Sequence, residues 1–345
     1  MDAFTAAQGD CSPCYRKQMR TALGALAGGL GWDHPVQAIT NDHISQFKQQ
    51  GLTVLAPSTV RSYMLVLRRF FAHLHQEGWI RHNPTLRIKL PNARARKDHV
   101  RPEEVGRLLD AFWQVAPDVA PIATTLILGG WRKGEILNLR RENVDLDRGW
   151  AYVVEFEGDE FADAWSPKTE SSARAVPLHP RVVAALRQVE PVVCPDGRVS
   201  PWMFPVTDSR KRERRRDRLG RLQPAYGDRR APGTNFLGTK LRQALKAASI
   251  ERKVTIHGLR RTFAVLLQDA GAPDSIILQA LGHSQRGVTE TNYLPRRDEV
   301  VKRWVDRINI DTARRSKLSG EAARRESHLE SSQRPPHLAG RICGL

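Results

Sequence analysis

The sequence predicts a mainly α-helical protein with a small antiparallel β-sheet, divided between a helical N-terminal domain and a larger second domain. Three observations favour this fold class. Apolar residues recur at helical spacing through most of the chain, β-forming residues are confined to a short region near its middle, and a basic segment containing Pro91 separates two stretches of helical pattern. The length of 345 residues suits about two ordinary domains.

Residues 1–90 are predicted to form a small helical domain. One apolar stripe at helical spacing consists of Met19, Leu23, Leu26 and Leu30. A second helix is expected after Pro57, with Ser58 as its candidate N-cap. The stripe of this second helix consists of Val60, Met64, Leu67, Phe71 and Leu74.

Arginines beside the second stripe, and in the segment that follows it, are candidates for contacts with DNA phosphates. Arg61, Arg68 and Arg69 lie off the apolar stripe, where they would face either solvent or a phosphate backbone. Residues 91–98 are interpreted as an interdomain linker. The linker arginines Arg94 and Arg96 are predicted DNA contacts as well.

Residues 99–310 are predicted to form the second domain. Pro102 suits the first turn of a helix, and a buried helix is expected from Pro121 to Leu128. The β-forming residues 150–156 and 174–178 predict a hairpin, and helical patterns dominate residues 234–309. The arginine-rich residues 207–230 predict a mobile basic loop, and the polar residues 311–345 predict a flexible tail.

The charge of the chain points to a polyanionic partner. Lysine and arginine total 55 against 37 aspartate and glutamate residues, which gives a net charge of +18 at pH 7. An excess of this size is self-repulsive, and a polyanion relieves it. Nucleic acid is the leading candidate and an acidic membrane surface the second.

The composition also argues against several classes of protein. No apolar run approaches the roughly 18 to 20 residues that span a bilayer. The first ten residues lack the regions of a secretory signal, and the four cysteines are too few for a disulfide framework, so a cytoplasmic protein is expected. Cys11 and Cys14 form a Cys-x-x-Cys motif, but no second pair accompanies them, and no metal site is predicted.

Four short motifs carry chemistry. Arg132 lies in Gly-Gly-Trp-Arg-Lys-Gly-Glu, where a turn leads into a helix, and Lys168 lies in Ser-Pro-Lys-Thr on the expected hairpin. His257 and Arg260 lie one turn apart in His-Gly-Leu-Arg-Arg-Thr. The last motif joins Leu-Gly-His, ending at His283, to Tyr293 ten positions further on.

These residue types suit the cleavage of a phosphodiester without a metal ion. Guanidinium groups match the charged oxygens of the transition state, so Arg132 and Arg260 are candidate phosphate ligands. The Tyr293 phenol can attack phosphorus, and nearby cations favour its phenolate. His283 is a candidate third donor to the phosphate, Lys168 a candidate proton donor to the leaving oxygen, and His257 a candidate orienting group or proton acceptor.

In this order, the motifs resemble those of the tyrosine recombinase (phage integrase) family. The resemblance covers roughly residues 99–309, and residues 1–90 resemble the family's core-binding domain. The Arg132 motif departs from the usual Thr-Gly-Leu-Arg-x-Gly-Glu, and Gly258 and Arg261 stand where Asp and His are commoner. None of these departures removes a functional group.

The resemblance implies a two-domain DNA clamp that acts as a site-specific recombinase. Family members cut one strand by tyrosine attack, which leaves a 3′-phosphotyrosyl bond and a free 5′-hydroxyl. The implied roles are nucleophile for Tyr293, phosphate ligand for Arg132, Arg260 and His283, general acid for Lys168, and proton acceptor or phosphate ligand for His257. Glu135 is implied to fix the Arg132 helix.

The resemblance also implies partners. It implies double-stranded DNA with specific recombination sites, a monomer in solution that forms a homotetramer on paired sites, association with the nucleoid, and no cofactor. The apolar pattern of Val301, Val305 and Ile308 suits a final core helix. From the resemblance, we instead expect that helix to dock into a neighbouring protomer.

Several alternatives stay open. Lys133 and Lys240 are rival ammonium groups for the role of Lys168. A type IB topoisomerase uses the same kind of site to relax DNA, and a DNA-binding regulator of this fold would lack catalysis. A metal-dependent transposase or nuclease is disfavoured, because the sequence has no convincing carboxylate cluster.

Overall fold

The computed structural model describes residue 4 and residues 13–92, 98–158, 164–167, 173–208, 215–216, 222–223, 225–230, 235–282 and 298–310. By its internal contacts the chain divides into two compact units, Met1–Arg96 and Lys97–Leu345. The described part of the first unit is helical, and that of the second combines helices with a three-stranded antiparallel sheet. The predicted fold class, mainly α with a small antiparallel sheet, is confirmed. Within the described residues, no helix is both long and apolar enough to cross a membrane.

The first unit packs its helices around one apolar core. Helices α1 (Pro13–Leu30), α2 (Asn41–Val54) and α3 (Pro57–Gln76) follow one another, with a 3-10 turn at Val36–Ala38 before α2. The predicted stripes form this core, since Met19, Leu23 and Leu26 of α1 are buried together with Val60, Met64, Leu67 and Phe71 of α3. The predicted N-cap is wrong by two positions. Ala56 is the N-cap residue of α3, because Pro57 has the fixed φ that suits the first helical position.

Arginines on α3 bind other parts of the first unit. Arg61 donates to the carbonyl of Pro91 at 3.2 Å, and Arg68 donates to the carbonyl of Ile88 at 2.5 Å. Arg69 donates to the Tyr15 hydroxyl at 2.9 Å. Two of the three thus hold the segment that follows α3 against this helix. Their contact with DNA stays a prediction, and Arg94 and Arg96 lie outside the described residues.

In the second unit, one buried helix forms the centre. Helices α4 (Pro102–Val115), α5 (Ala120–Gly129) and α6 (Lys133–Leu137) precede the sheet, and α7 (Pro180–Arg187) follows it. The remaining helices are α8 (Phe236–Ala247), α9 (Ile256–Asp269), α10 (Asp274–Leu281) and α11 (Asp298–Asp306). All residues of α5 are buried, and α4, α7 and α9 pack around it. Helix α7 was not predicted from the sequence, and it begins at a proline preceded by the capping side chain of His179.

The sheet lies at the middle of the chain. Strands β1 (Val144–Asp145), β2 (Trp150–Val153) and β3 (Arg174–Pro177) pair antiparallel in that order, with Val153 opposite Arg174. An isolated bridge between Phe156 and Trp165 continues the predicted hairpin beyond the sheet. The basic segment 207–230 is not loop throughout, because it contains a two-stranded ladder of β4 (Arg215–Arg216) and β5 (Leu222–Gln223).

The last described helix, α11, packs in the core of its own chain. Val301 and Val305 are 2% and 0% exposed, and α11 contacts β3 and α10. The buried His179 ring accepts from the Arg181 amide through Nδ1, which makes Nε2 the donor to the Ile308 carbonyl at 3.1 Å. The core-helix alternative therefore holds within this chain, and docking of α11 into a neighbouring protomer stays a prediction.

Substitution of Val305 by aspartate is expected to lower the free energy of unfolding by about 3 kcal/mol or more, because it buries an unpaired carboxylate. Urea unfolding of the full chain measures the change. The control is Val199→Asp, at a side chain that is 57% exposed. If Val305→Asp were as stable as this control but unable to form oligomers, docking of α11 into a neighbouring protomer would be favoured instead.

Candidate active site

A left-handed turn presents Arg132 at the start of α6. Gly130 ends α5 with φ +62°, and a Cβ built on it would lie 2.3 Å from Cδ1 of Phe263. A side chain is therefore excluded both by the backbone conformation and by the neighbouring ring. Trp131 fills the interior beside the turn, and Arg132 follows as the N-cap residue of α6 with a side chain that is 27% exposed.

Glu135 binds Arg132 through both carboxylate oxygens. Its Oε1 accepts from Nη1 of Arg132 at 2.6 Å, and its Oε2 accepts from the Arg132 amide at 2.9 Å. The second bond satisfies an amide at the helix start, as in a capping box. Because the Glu135 side chain is 3% exposed, both bonds lie out of water. The two bonds fix Arg132 at the start of α6, which is the role that the resemblance implies for Glu135.

Arg174 is a site residue that the sequence pattern predicted only as part of a strand. It donates from Nη1 and Nη2 to Oε1 and Oε2 of Glu135, at 3.2 and 3.1 Å, and its side chain is 1% exposed. The signal was the two-residue period of β3, because Arg174 shares the inner face of the strand with Val176. A charged residue on an inner face requires a buried partner of opposite charge.

Arg260 is held by backbone carbonyls at the ends of two helices. Its side chain, 3% exposed, donates to the carbonyl of Gly130 after α5 and to the carbonyl of Leu281 at the end of α10. Its Nη1 lies 4.0 Å from Oε2 of Glu135. The site therefore joins residues from α6, β3 and α9, which are far apart in the sequence.

The backbone of Gly282, the residue before His283, packs against the side chains of Arg132 and Arg174. It ends α10 with φ +60°, and a Cβ built on it would lie 2.9 Å from Cδ of Arg174. Its carbonyl accepts from Nη2 of Arg132 at 3.4 Å. Because a left-handed glycine lets the backbone approach two arginines, the Leu-Gly-His motif begins at the site.

We name Arg132, Arg174 and Arg260, together with Glu135, the arginine cluster. Among the described residues, three guanidinium groups lie within 4.0 Å of this one carboxylate. Burial, together with the charges of Arg132 and Arg174, lowers the pKa of Arg260 to about 9, although Glu135 acts to raise it. Arg260 is still a cation at neutral pH. An anion bound beside these groups would relieve their repulsion.

His257 lies in the first turn of α9, one turn before Arg260, and is exposed. Desolvation lowers its pKa, and the charges of Arg261, Arg260 and Arg132 lower it further, whereas Asp98 raises it. The neutral imidazole, which can accept a proton, is therefore favoured at neutral pH.

Three predicted site residues, Lys168, His283 and Tyr293, lie outside the described residues, as does Cys11. Burial lowers the pKa of the rival Lys133, at the first position of α6, whereas the rival Lys240 lies in α8. Within the part of the chain that the structure describes, no group of three or more His, Cys, Asp or Glu side chains is arranged to hold a metal ion.

Comparisons with known proteins place the chain in a family. The model of the phage integrase family matches residues 99–299, more than half of the 345 residues. The chain belongs to the phage integrase family. It is therefore an enzyme of the tyrosine recombinase class, which cleaves and rejoins DNA strands. The family predicted from the motifs is confirmed.

Individual relatives agree with this assignment. The chain is 29% identical to the tyrosine recombinase XerD of Caulobacter vibrioides over 285 residues, which cover 80% of the chain and 83% of that protein. Its fold is similar to a lambda integrase fragment (residues 75–356) solved as a dimer bound to a COC′ core site, with a TM-score of 0.62, 16% identity, and coverage of 82% and 93% of the two chains. It is also similar to lambda integrase solved as a tetramer bound to a Holliday junction, with a TM-score of 0.62, 16% identity, and coverage of 84% and 75%.

Substitution of Glu135 by glutamine is expected to lower the free energy of unfolding at pH 7 by about 3 to 5 kcal/mol, because it leaves buried guanidinium groups without their carboxylate. Although burial raises the pKa of Glu135, the bonds from Arg174 and Arg132 lower it overall from 4.5. The stabilisation by Glu135 is thus present above pH 4.5 and is lost as the pH falls through the lower folded pKa. Urea unfolding at several pH values measures both effects.

The matched control is Glu142→Gln, at a side chain that is 69% exposed and 3.8 Å from Arg140. This variant is expected to change stability by less than about 1 kcal/mol. Sulfate should stabilise Glu135→Gln more than wild type, because the anion replaces the lost charge. Equal stability of the two variants would mean that Glu135 does not hold the cluster.

Proposed function

We propose that the protein is a site-specific DNA recombinase that breaks and rejoins strands through a 3′-phosphotyrosyl intermediate at Tyr293. The observation that carries the proposal is the arginine cluster, in which three guanidinium groups of the described residues converge on one carboxylate beside a partly exposed Arg132. Membership of the phage integrase family supports it as well. A phosphodiester is an anion that matches guanidinium forks in charge and geometry.

In the proposed cleavage step, the Tyr293 oxygen bonds to phosphorus while the bond from phosphorus to the 5′ oxygen breaks. The phenol proton passes to His257, whose lowered pKa suits a proton acceptor. Lys168 gives a proton to the departing 5′ oxygen. The 5′-hydroxyl of a partner strand then reverses these transfers, so the energy of the phosphodiester is kept and no cofactor is needed.

Binding of the scissile phosphate is assigned to Arg132, Arg260 and His283. The two arginines already donate to carboxylate or carbonyl oxygens, which fixes their orientation before substrate arrives. Such preorganised donors stabilise charge that develops in the transition state. Arg174 is proposed to orient Glu135 rather than to contact the phosphate, because its side chain is 1% exposed.

The domain assignment follows from the same proposal. Residues 1–90 would bind DNA as the core-binding domain through Arg61, Arg68 and Arg69, and the linker would add Arg94 and Arg96. Residues 91–98 would be the linker and residues 99–310 the catalytic domain, and the predicted tail, residues 311–345, lies outside the described residues. The net charge of +18 supports binding to double-stranded DNA.

A homotetramer on paired recombination sites, formed from monomers, is proposed by analogy. The lambda integrase tetramer bound to a Holliday junction supports this assembly, since the chain is similar to it in fold. The phosphate-binding residues are blind to base sequence, so the choice of site must come from base contacts elsewhere.

Covalent trapping tests the proposed intermediate. Wild type is incubated in EDTA with nicked duplexes of randomised sequence. It is expected to give a protein–DNA band that survives denaturation, because the short fragment released at the nick diffuses away and cannot be rejoined. Tyr293→Phe should give no band. The matched control is Tyr152→Phe, at a side chain in β2 that is 40% exposed and should keep the band.

The alternatives give different outcomes in the same assays. An inactive DNA-binding regulator would bind the duplexes without any covalent band, and a metal-dependent nuclease would lose cleavage in EDTA. A type IB topoisomerase would form the band and relax supercoiled plasmids that lack a recombination site. The proposed recombinase should instead exchange strands between paired copies of the sequence selected by trapping.

A bridging sulfur tests the general acid. Lys168→Ala is expected to slow cleavage by about 100-fold or more, since a positioned proton donor contributes that much. Replacing the 5′ bridging oxygen by sulfur should restore the rate, because a thiolate leaves without a proton. Lys133→Ala and Lys240→Ala are the controls and should show no such rescue. Rescue of either control, with none for Lys168→Ala, would transfer the role.

A further inference from the structure

The first turn of α9 is capped by a carboxylate from a distant part of the chain. Thr255 is the N-cap residue, and its hydroxyl accepts from the Gly258 amide at 3.0 Å. In a capping box, a carboxylate at the position of Gly258 would accept from the Thr255 amide in return. Here Oδ2 of Asp98 accepts from that amide at 3.1 Å and from the Thr255 hydroxyl at 2.5 Å. Asp98 therefore completes the cap.

Gly258 leaves the space that Asp98 occupies. A Cβ built on Gly258 would lie 2.8 Å from the Asp98 carbonyl oxygen and 3.0 Å from its Oδ2. The Asp98 side chain is 9% exposed. Two residues further on, the Val100 amide donates to the buried Thr262 hydroxyl at 2.9 Å. Residues 98–100 are thus fastened along α9 at two points.

The other oxygen of Asp98 is directed at the charges around His257. Its Oδ1 accepts from the guanidinium of Arg261. Although burial raises the pKa of Asp98, the bonds from Thr255 and the charge of Arg261 lower it overall, so the carboxylate is ionised at neutral pH. Of the charged groups that act on His257, Arg261, Arg260 and Arg132 lower its pKa and Asp98 raises it.

We propose that Asp98 is a positioning residue for strand cleavage, whose carboxylate replaces the side chain absent at Gly258 and fixes the helix turn that carries His257 and Arg260. With Arg261, it also sets the charge around the His257 ring. The proposal rests on the proposed function of His257 and Arg260, and it adds a residue that lies in none of the four sequence motifs.

Charge substitutions test the effect of Asp98 and Arg261 on the pKa of His257, because the two residues should shift it in opposite directions. Asp98→Asn keeps an acceptor oxygen but loses the charge, so the pKa of His257 should fall, whereas Arg261→Gln should raise it. The double variant should lie between the two single variants. Proton NMR titration of the His257 ring in the full chain, assigned with His257→Gln, measures these shifts without DNA. The control is Asp110→Asn at an exposed residue of α4.

Shape substitutions test the positioning part. Asp98→Ala and Gly258→Ala each break the same contact, so each should lower the rate of covalent-adduct formation by about 10- to 100-fold, and the double variant should lose less than the product of the two losses. Hydrogen exchange at residues 255–258 should speed up in all three variants. Gly28→Ala is the control, because a Cβ there meets open space in α1.

The outcomes separate this proposal from the proposed function. If wild type forms no adduct, the recombinase proposal fails, and the NMR titration and hydrogen exchange still decide whether Asp98 caps α9 and controls His257. If wild type forms adduct, but Asp98→Ala keeps the wild-type rate, exchange and His257 titration, the positioning role is overturned and the recombinase proposal stands. An additive loss in the double variant would also overturn it, since the two residues would then act separately.

Discussion

The arrangement of the site depends on one buried carboxylate that is shared by arginines from different elements. Glu135 binds Arg132 at the start of α6 and Arg174 in β3, and it lies 4.0 Å from Arg260 in α9. Without Glu135, burial of three cations side by side would be strongly unfavourable. With it, the three guanidinium groups are held around one carboxylate among the described residues. A phosphate bound there would add negative charge beside these guanidinium groups.

Two glycines make this arrangement possible through the backbone. Gly130 and Gly282 both have positive φ, and a side chain on either would collide with Phe263 or Arg174 respectively. Their carbonyls accept from Arg260 and Arg132. The glycines next to the arginine and histidine motifs therefore let the main chain reach the guanidinium groups. This explains why those motifs contain glycine without any appeal to catalysis.

Local pattern was sufficient to predict most helices and the hairpin, because each depends on neighbours in sequence, whereas the role of Glu135 was implied by the family resemblance. Arg174 was missed as a site residue because its partner lies 39 positions away, and nothing in Arg-Ala-Val-Pro names that partner. Asp98 was missed for the same reason, since it completes a cap 157 positions away. Departures from a motif are informative here, because the glycine at 258 marks the place where another segment enters. The apolar pattern of α11 shows that one face is buried, but not against which chain, and docking into a neighbour was expected only from the family resemblance.

The arginines of α3 show that a position off the apolar stripe does not by itself predict contact with DNA. Arg61 and Arg68 lie off the apolar stripe, as predicted, yet each donates to a backbone carbonyl of the segment after α3. A guanidinium has five N–H donors, so one such bond orients the group and leaves others for a phosphate. Arg260 follows the same rule in the site, where two carbonyls fix its plane. An arginine bound within the protein is therefore a better oriented candidate for phosphate than one that extends into water, because less side-chain entropy is lost when the anion binds.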